Sequence, residues 1–265
     1  MSILDQIVVR KRAELLLDRE REPLAELEPR ARAARPRGFR RALERSTRAV
    51  IAEIKRASPS RGAIALAADP AEVARRYEAA GAAALSVLTD SVFFLGHLDH
   101  LQAARSATRL PALRKDFTLD RYHIWQAAAH GADAVLLIVA ILTQRELADL
   151  LAEARGLGLD ALVEVHDRAE LDRALDAGAD LVGVNNRNLK TFEVTLDTSL
   201  GLAAAIPRSV VALSESGIRR PEDIERLAAA GFRAFLVGES LMSQPDPGAA
   251  LEALLAGVHS GVRNH

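Results

Sequence analysis

The sequence predicts a (β/α)8 barrel preceded by a helical extension, and three observations carry that prediction. Eight short apolar runs alternate with stretches of helical periodicity over about 200 residues. A glycine closes every second helix, at Gly81, Gly131, Gly178 and Gly231, about 50 residues apart. Residues able to carry chemistry gather at the ends of the apolar runs, where barrels hold their active sites. A doubly wound open sheet shares the alternation, but usually with fewer strands and a glycine-rich first turn.

Before the first strand lie about 45 residues with helical character over 3–20 and 39–45. Pro23, Pro29 and Pro36 break this stretch, and the arginine-rich residues 30–37 read as a connector. It is too short for a separate domain, so residues 1–265 form one barrel domain with 1–45 as a helical N-terminal extension that caps it. The predicted strands are residues 50–55, 84–89, 112–116, 134–139, 161–166, 181–186, 210–216 and 234–239. Each is apolar through most of its length, as a parallel strand covered on both faces must be. Helices follow, for example over 69–80, 143–156, 168–177 and 221–230, with starts marked by Asp69-Pro70, Thr143-x-x-Glu146 and Arg220-Pro221-Glu222. The recurring glycines sit where a helix must turn into the next strand through a positive φ. Trp125 and Tyr122 are expected to pack a helix against the barrel.

Composition narrows the function. Apolar residues make up 49% and charged residues 27%, as in ordinary globular proteins. With 35 cationic and 36 acidic residues the net charge is −1, so no overall field would hold nucleic acid or an anionic membrane. The absence of cysteine removes disulfides, thiolate metal sites and a cysteine nucleophile. The longest apolar run, residues 134–142, is too short to cross a bilayer. Asp5 and Arg10-Lys11-Arg12 without an apolar core do not resemble a signal peptide, so the expected location is the cytoplasm. Lysine occurs only at Lys11, Lys55, Lys115 and Lys190, every other cation being arginine. Because lysine can be tuned to give up its proton and arginine cannot, the places that keep lysine are informative. Lys11, in the extension, is expected to tolerate arginine without effect.

The run ends carry the candidates. Glu53 and Lys55 share a face of strand one, Lys115 ends strand three, and strand five carries Glu164 and ends at His166. Alternate strands of a barrel feed the same layer, so Lys55, Lys115 and Glu164 are expected in one pocket, tuning one another for acid–base work. Ser216-Gly217 after strand seven and Gly238-Glu239-Ser240 after strand eight fall where barrels often hold phosphate. Ser58-Pro59-Ser60-Arg61-Gly62 reads as a mobile, anion-compatible loop. His97, Asp99 and His100 have helical spacing, but without a matching carboxylate cluster an exposed turn is expected there and no metal site.

Seven segments in order resemble the indole-3-glycerol phosphate synthase family. They are Ile51-Ala-Glu-Ile-Lys-Arg-Ala-Ser-Pro-Ser60, Ser86-Val-Leu-Thr89 with Phe94-x-Gly96, Leu113-Arg-Lys-Asp-Phe117, Leu162-Val-Glu-Val-His166, residues 183–192, Ser214-Glu-Ser-Gly-Ile218 and Val237-Gly-Glu239. The resemblance implies closure of 1-(2-carboxyphenylamino)-1-deoxyribulose 5-phosphate to indole-3-glycerol phosphate with loss of CO2 and water, needing no cofactor or metal. By the matched motifs, Lys115 is the general acid and Glu164 the base. Lys55 stabilises the substrate and helps the dehydration, with Glu53 orienting it. Asn185 and Arg187 position hydroxyls and carboxylate, and Glu215 and Ser216 support that wall. Gly217, Gly238, Glu239 and the Ser58–Ser60 loop hold phosphate. Departures from the pattern are Asp90 where Glu is expected, His97 after Gly96, and Ser214 where Ala is common. The expected partner is the phosphorylated substrate alone, bound by a monomer that makes at most transient contact with other tryptophan-pathway enzymes. Two alternatives compete. A phosphoribosylanthranilate isomerase would favour a Cys/Asp pair, which a cysteine-free chain lacks. A non-catalytic barrel subunit would show a broken acid–base set.

Overall fold

The computed structural model describes residues 2–46, 48–189 and 191–259; Lys190, within the fifth matched segment, lies outside them. Eight parallel strands close a barrel: β1 Ala49–Ile54, β2 Ala84–Leu88, β3 Ala112–Lys115, β4 Ala134–Ile138, β5 Asp160–Val165, β6 Leu181–Asn185, β7 Val211–Glu215 and β8 Ala234–Val237. β1 pairs with both β2 and β8, which completes the ring. Outside it lie α1 Ile3–Arg21, α2 Leu24–Ala33, α3 Phe39–Glu44, α4 Pro70–Ala79, α5 Leu98–Ala107, α6 Arg121–Ala129, α7 Gln144–Gly156, α8 Arg168–Asp176, α9 Asp197–Leu202, α10 Pro221–Ala229, α11 Glu239–Met242 and α12 Pro247–His259. The (β/α)8 prediction holds. No helix among the described residues is long and apolar enough to cross a membrane.

Each strand alternates its side chains between the helix layer and the barrel interior. The interior is apolar at the bottom, where Ala49, Ile51, Leu113, Leu162, Leu181, Val211 and Leu213 pack together. Two residues beyond Ile51, Leu113, Leu162 and Leu213, the same inward face carries Glu53, Lys115, Glu164 and Glu215. Apolar layers therefore support a charged one, built from the four odd-numbered strands. The predicted glycines after α4, α6, α8 and α10 all adopt positive φ, from 81° to 109°.

The extension caps both ends of the barrel. Phe39 and Leu43 of α3 join the interior core from below. Ile3, Leu4 and Ile7 of α1 border the cavity at the opposite mouth. Two expectations change here. Pro29 sits inside α2 and does not break it, so the predicted connector is helical as far as Ala33. Tyr122 and Trp125 serve the extension as well as the barrel. Tyr122 Oη donates to the carbonyls of Asp18 and Glu22, at 2.9 and 2.8 Å, and the Arg32 guanidinium lies 5.0 Å over the Trp125 ring.

Lys11 corrects the sequence reading more sharply. It is buried, with Nζ 3.0 Å from Glu14, 2.9 Å from Asp90 and 2.9 Å from Asp116. Three carboxylates surround an ammonium with three N–H donors, an arrangement that one planar guanidinium does not reproduce. Burial opposes its charge, yet Asp116 and Asp90 outweigh burial and raise its pKa. Asp90 thus anchors the extension to the loop after β2, and its Oδ1 also accepts the Phe93 N–H at 2.7 Å.

Candidate active site

All thirteen candidate residues line one cavity of about 490 Å3 at the C-terminal mouth of the barrel, within the range of small-molecule sites. Its floor is the charged layer. Lys115 Nζ donates to Glu164 Oε2 at 2.9 Å and to Glu215 Oε2 at 3.1 Å. Lys55 Nζ pairs with Glu53 Oε1 at 2.8 Å, and Ser86 Oγ donates to Glu53 Oε2 at 3.3 Å. Asn185 Nδ2 donates to Glu164 Oε1 at 3.1 Å. Glu215, counted among the catalytic residues for its support of the wall beside the substrate, is a direct partner of Lys115. Its place on the inward face of β7, two residues after Leu213, was the available signal.

The charges shape one another. Burial disfavours the Lys115 ammonium, but Glu164, Glu215 and Glu53 outweigh burial and raise its pKa. Burial likewise opposes the Glu164 carboxylate, and Lys115 with His166 overcomes it to hold that group below the usual range. Glu215 goes the other way. Burial, reinforced by the neighbouring Glu164, pushes it up to about 7 against the pull of Lys115. Carboxylates crowded around one lysine thus separate into one firmly ionised group and one that titrates near neutrality.

Glycines make room for this layer. A Cβ on Gly183 would lie 2.4 Å from Glu215 Oε1, and one on Gly238 would lie 2.3 Å from Glu53 Oε1. Gly238 therefore has a steric duty beside its expected one at the phosphate end. Ser216 leaves β7 with φ 68° and Gly217 follows at 85°. Asn186 Nδ2 braces that turn by donating to the Ser216 carbonyl at 3.0 Å. The predicted loop after β1 is a small hairpin, Ala57–Ser58 against Gly62–Ala63, with the two serine Oγ atoms of Ser58 and Ser60 3.4 Å apart.

The rim is cationic. Arg61 Nε pairs with Glu239 Oε1 at 2.8 Å and Arg187 Nη2 with Glu239 Oε2 at 3.4 Å. Between them, Phe94, Phe117, Leu136 and Ile138 give an apolar lining. The remaining departures are structural. His97 caps α5 by accepting the Asp99 N–H at 3.2 Å, and Ser214 Oγ accepts from Asn186 Nδ2 at 2.9 Å in the buried wall. Among the described residues no group of three His, Asp or Glu side chains is arranged to hold a metal ion.

Paired lysine and glutamate side chains on the floor of a (β/α)8 mouth, with arginines at its rim, define the site of a barrel enzyme for a small anionic substrate. A family model described as Indole-3-glycerol phosphate synthase matches residues 4–254. The chain belongs to that family, the carboxy-lyases of tryptophan biosynthesis that close the indole ring. It is 51% identical over 261 residues to the Indole-3-glycerol phosphate synthase of Laribacter hongkongensis (strain HLHK9), covering 96% of this chain and 99% of the relative. Solved structures with the same fold include thiamine phosphate pyrophosphorylase from Pyrococcus furiosus, with TM-score 0.62 and 17% identity over 83% of this chain and 100% of that one. Another is N-acetylmannosamine-6-phosphate 2-epimerase from Clostridium perfringens, with TM-score 0.59 and 14% identity over 74% of this chain and 87% of that one. At such identities these two show the barrel alone.

Proposed function

We propose that Lys115 is the general acid and Glu164 the general base of indole-3-glycerol phosphate formation. The observation that carries the assignment is the Lys115 ammonium held between Glu164 and Glu215 on the cavity floor. The substrate brings its own nucleophile, the electron-rich ring carbon bearing the carboxylate. That carbon attacks the ketose carbonyl, and Lys115 delivers a proton to the oxygen as the new C–C bond forms. A developing alkoxide is basic enough to take a proton even from a lysine whose pKa is raised. Departure of CO2 leaves its bonding electrons in the ring and restores aromaticity. Loss of the protonated hydroxyl as water, with removal of the neighbouring C–H proton by Glu164, then completes the indole. Lys55, oriented by Glu53, gives the hydroxyl the second proton with which it leaves as water.

The rest of the cavity holds the substrate. The aromatic ring packs on Phe94, Phe117 and Ile138, while Asn185 and Arg187 meet hydroxyls and the carboxylate. Ser58, Ser60, Ser216, Gly217 and Gly238 take the phosphate. Glu239 acts there through the arginines it holds, since a bare carboxylate would repel the anion.

Lys115→Arg tests the acid. It keeps the charge but holds its proton too tightly to donate near neutrality. Indole fluorescence should show turnover reduced by roughly 100-fold or more, with substrate still bound. Near-normal turnover would make Lys115 an electrostatic anchor and move the acid to Lys55.

A further inference from the structure

We propose that His166, backed by Glu170, is a positioning residue that keeps the Glu164 base oriented and anionic after Lys115 has given up its proton. This inference rests on Glu164 being the base. His166 follows β5, and its side chain is not among those that line the cavity. Its Nε2 lies 3.4 Å from Glu164 Oε1, is buried, and has no hydrogen-bond partner. The other side of the ring is fixed. Nδ1 lies 3.0 Å from Glu170 Oε2, and that same oxygen accepts the His166 backbone N–H at 2.8 Å. Glu170 is itself set in the first turn of α8, where its N–H donates to the capping Asp167 at 2.9 Å.

The arrangement is a carboxylate–imidazole–carboxylate chain running from the first turn of α8 to the catalytic floor. Burial disfavours a charged His166, but Glu164 and Glu170 outweigh it and lift its pKa to about 10, so the ring is an imidazolium at neutral pH. The charged and polar groups that meet here are Glu164 on β5, Glu170 on α8, Asn185 on β6 and, across the Glu164 carboxylate, Lys115 on β3.

The need for this second cation follows from the reaction. In the resting site Lys115 neutralises Glu164 and Glu215 together. Once its proton moves to the substrate oxygen, Lys115 is neutral and the two buried carboxylates lose their cation. Burial then favours protonation of both. A protonated Glu164 cannot accept the C–H proton that dehydration must release. An imidazolium on Oε1 keeps it ionised, while Oε2 and the Asn185 contact keep its direction.

The test uses His166→Gln and Glu170→Gln in the full chain, with Glu164→Gln alongside and a thermal melt of each. For His166→Gln we expect kcat about tenfold lower near neutrality with KM changed by less than about twofold. The loss should shrink as pH rises, because the acid limb of kcat moves up by about one unit or more. Glu170→Gln, on the outer helix, should move the same limb in the same direction by less, and the double variant should resemble His166→Gln. A loss that is flat between about pH 5 and 9, or one confined to KM or thermal stability, overturns the proposal. If Glu164→Gln keeps its turnover, the base assignment itself has failed. If Glu164→Gln is inactive while both other variants keep the native profile, only the role of His166 has failed. Should His166→Gln not fold, the Glu170→Gln profile decides alone.

Discussion

Replacing Lys11 with Met should be among the most damaging changes available outside the cavity. The side chain is 5% exposed and its ammonium meets Glu14, Asp90 and Asp116 at 2.9–3.0 Å. Asp90 is fully buried. Asp116 keeps Arg114 at 3.1 Å and the Thr89 hydroxyl at 2.6 Å. Methionine fills the space but strands Asp90, and removing one member of a buried ion pair costs about 3–5 kcal/mol. At about 2–4 °C per kcal/mol in a chain of this size, Tm should fall by roughly 6–20 °C. The pH dependence follows from the carboxylates. Burial raises Asp116, but Lys11 and Arg114 outweigh it and hold the group well below the usual range. Its stabilisation is therefore complete above the unfolded pKa of about 3.9 and is lost as pH falls below that. Lys11, whose folded pKa is raised, contributes fully below its unfolded pKa of about 10.4. The deficit of the variant should thus be level through neutral pH and narrow in acid. Melting curves followed by circular dichroism at several pH values measure it. A Tm within about 2 °C of the parent at neutral pH, less than 1 kcal/mol on this scale, would refute the clamp. Lys11→Arg should fall between the two.

Three further outcomes are expected. Gly183→Ala should leave a folded barrel, destabilised by about 1–3 kcal/mol, but turnover should drop because Glu215 Oε1 would lie 2.4 Å from the new methyl group and must leave Lys115; unchanged kinetics would mean that the Glu215 contact is dispensable. A substrate lacking its phosphate should bind far more weakly and also turn over more slowly, since remote binding energy helps to orient the reacting centre; equal constants for the two substrates would remove the phosphate site from the mechanism. Thorough chelation with EDTA should leave activity intact, because the substrate carries both nucleophile and leaving group; a loss restored by one divalent ion would reopen His97, Asp99 and His100.

The barrel and its mouth were legible because they obey periods. Apolar runs at regular spacing, glycine at every second helix end and charge at the run ends locate the layer from the sequence alone. What periodicity cannot supply is the partner of a given charge. Lys11 illustrates this. On its own helix the sequence shows a cation near Glu14, an ordinary surface pair. Asp90 and Asp116 are distant in sequence and arrive only because α1 lies across the rims of β2 and β3. The same holds for Tyr122, whose hydroxyl is claimed by the end of α1 about 100 residues earlier. Pro29 departs from the sequence expectation for a different reason: a helix interior can absorb one missing N–H when packing on Leu27 and Ala31 holds both sides.

The division of labour between Glu164 and Glu215 was the least legible feature, and its origin is physical. Both are glutamates on inward faces and both reach the same lysine, so strand position and periodicity do not separate them, and only the motif resemblance does. The ranking comes from second partners. Glu164 has Asn185 and His166 on the oxygen that Lys115 leaves free, whereas Glu215 Oε1 is buried with no hydrogen-bond partner. One carboxylate is therefore held ionised and the other is lifted toward neutrality. Gly183 permits this by letting Glu215 lie against the barrel wall, where a larger residue would displace it. The opposite ionisation of two chemically identical residues is thus written in their neighbours, and a sequence reports such neighbours only after it has been folded.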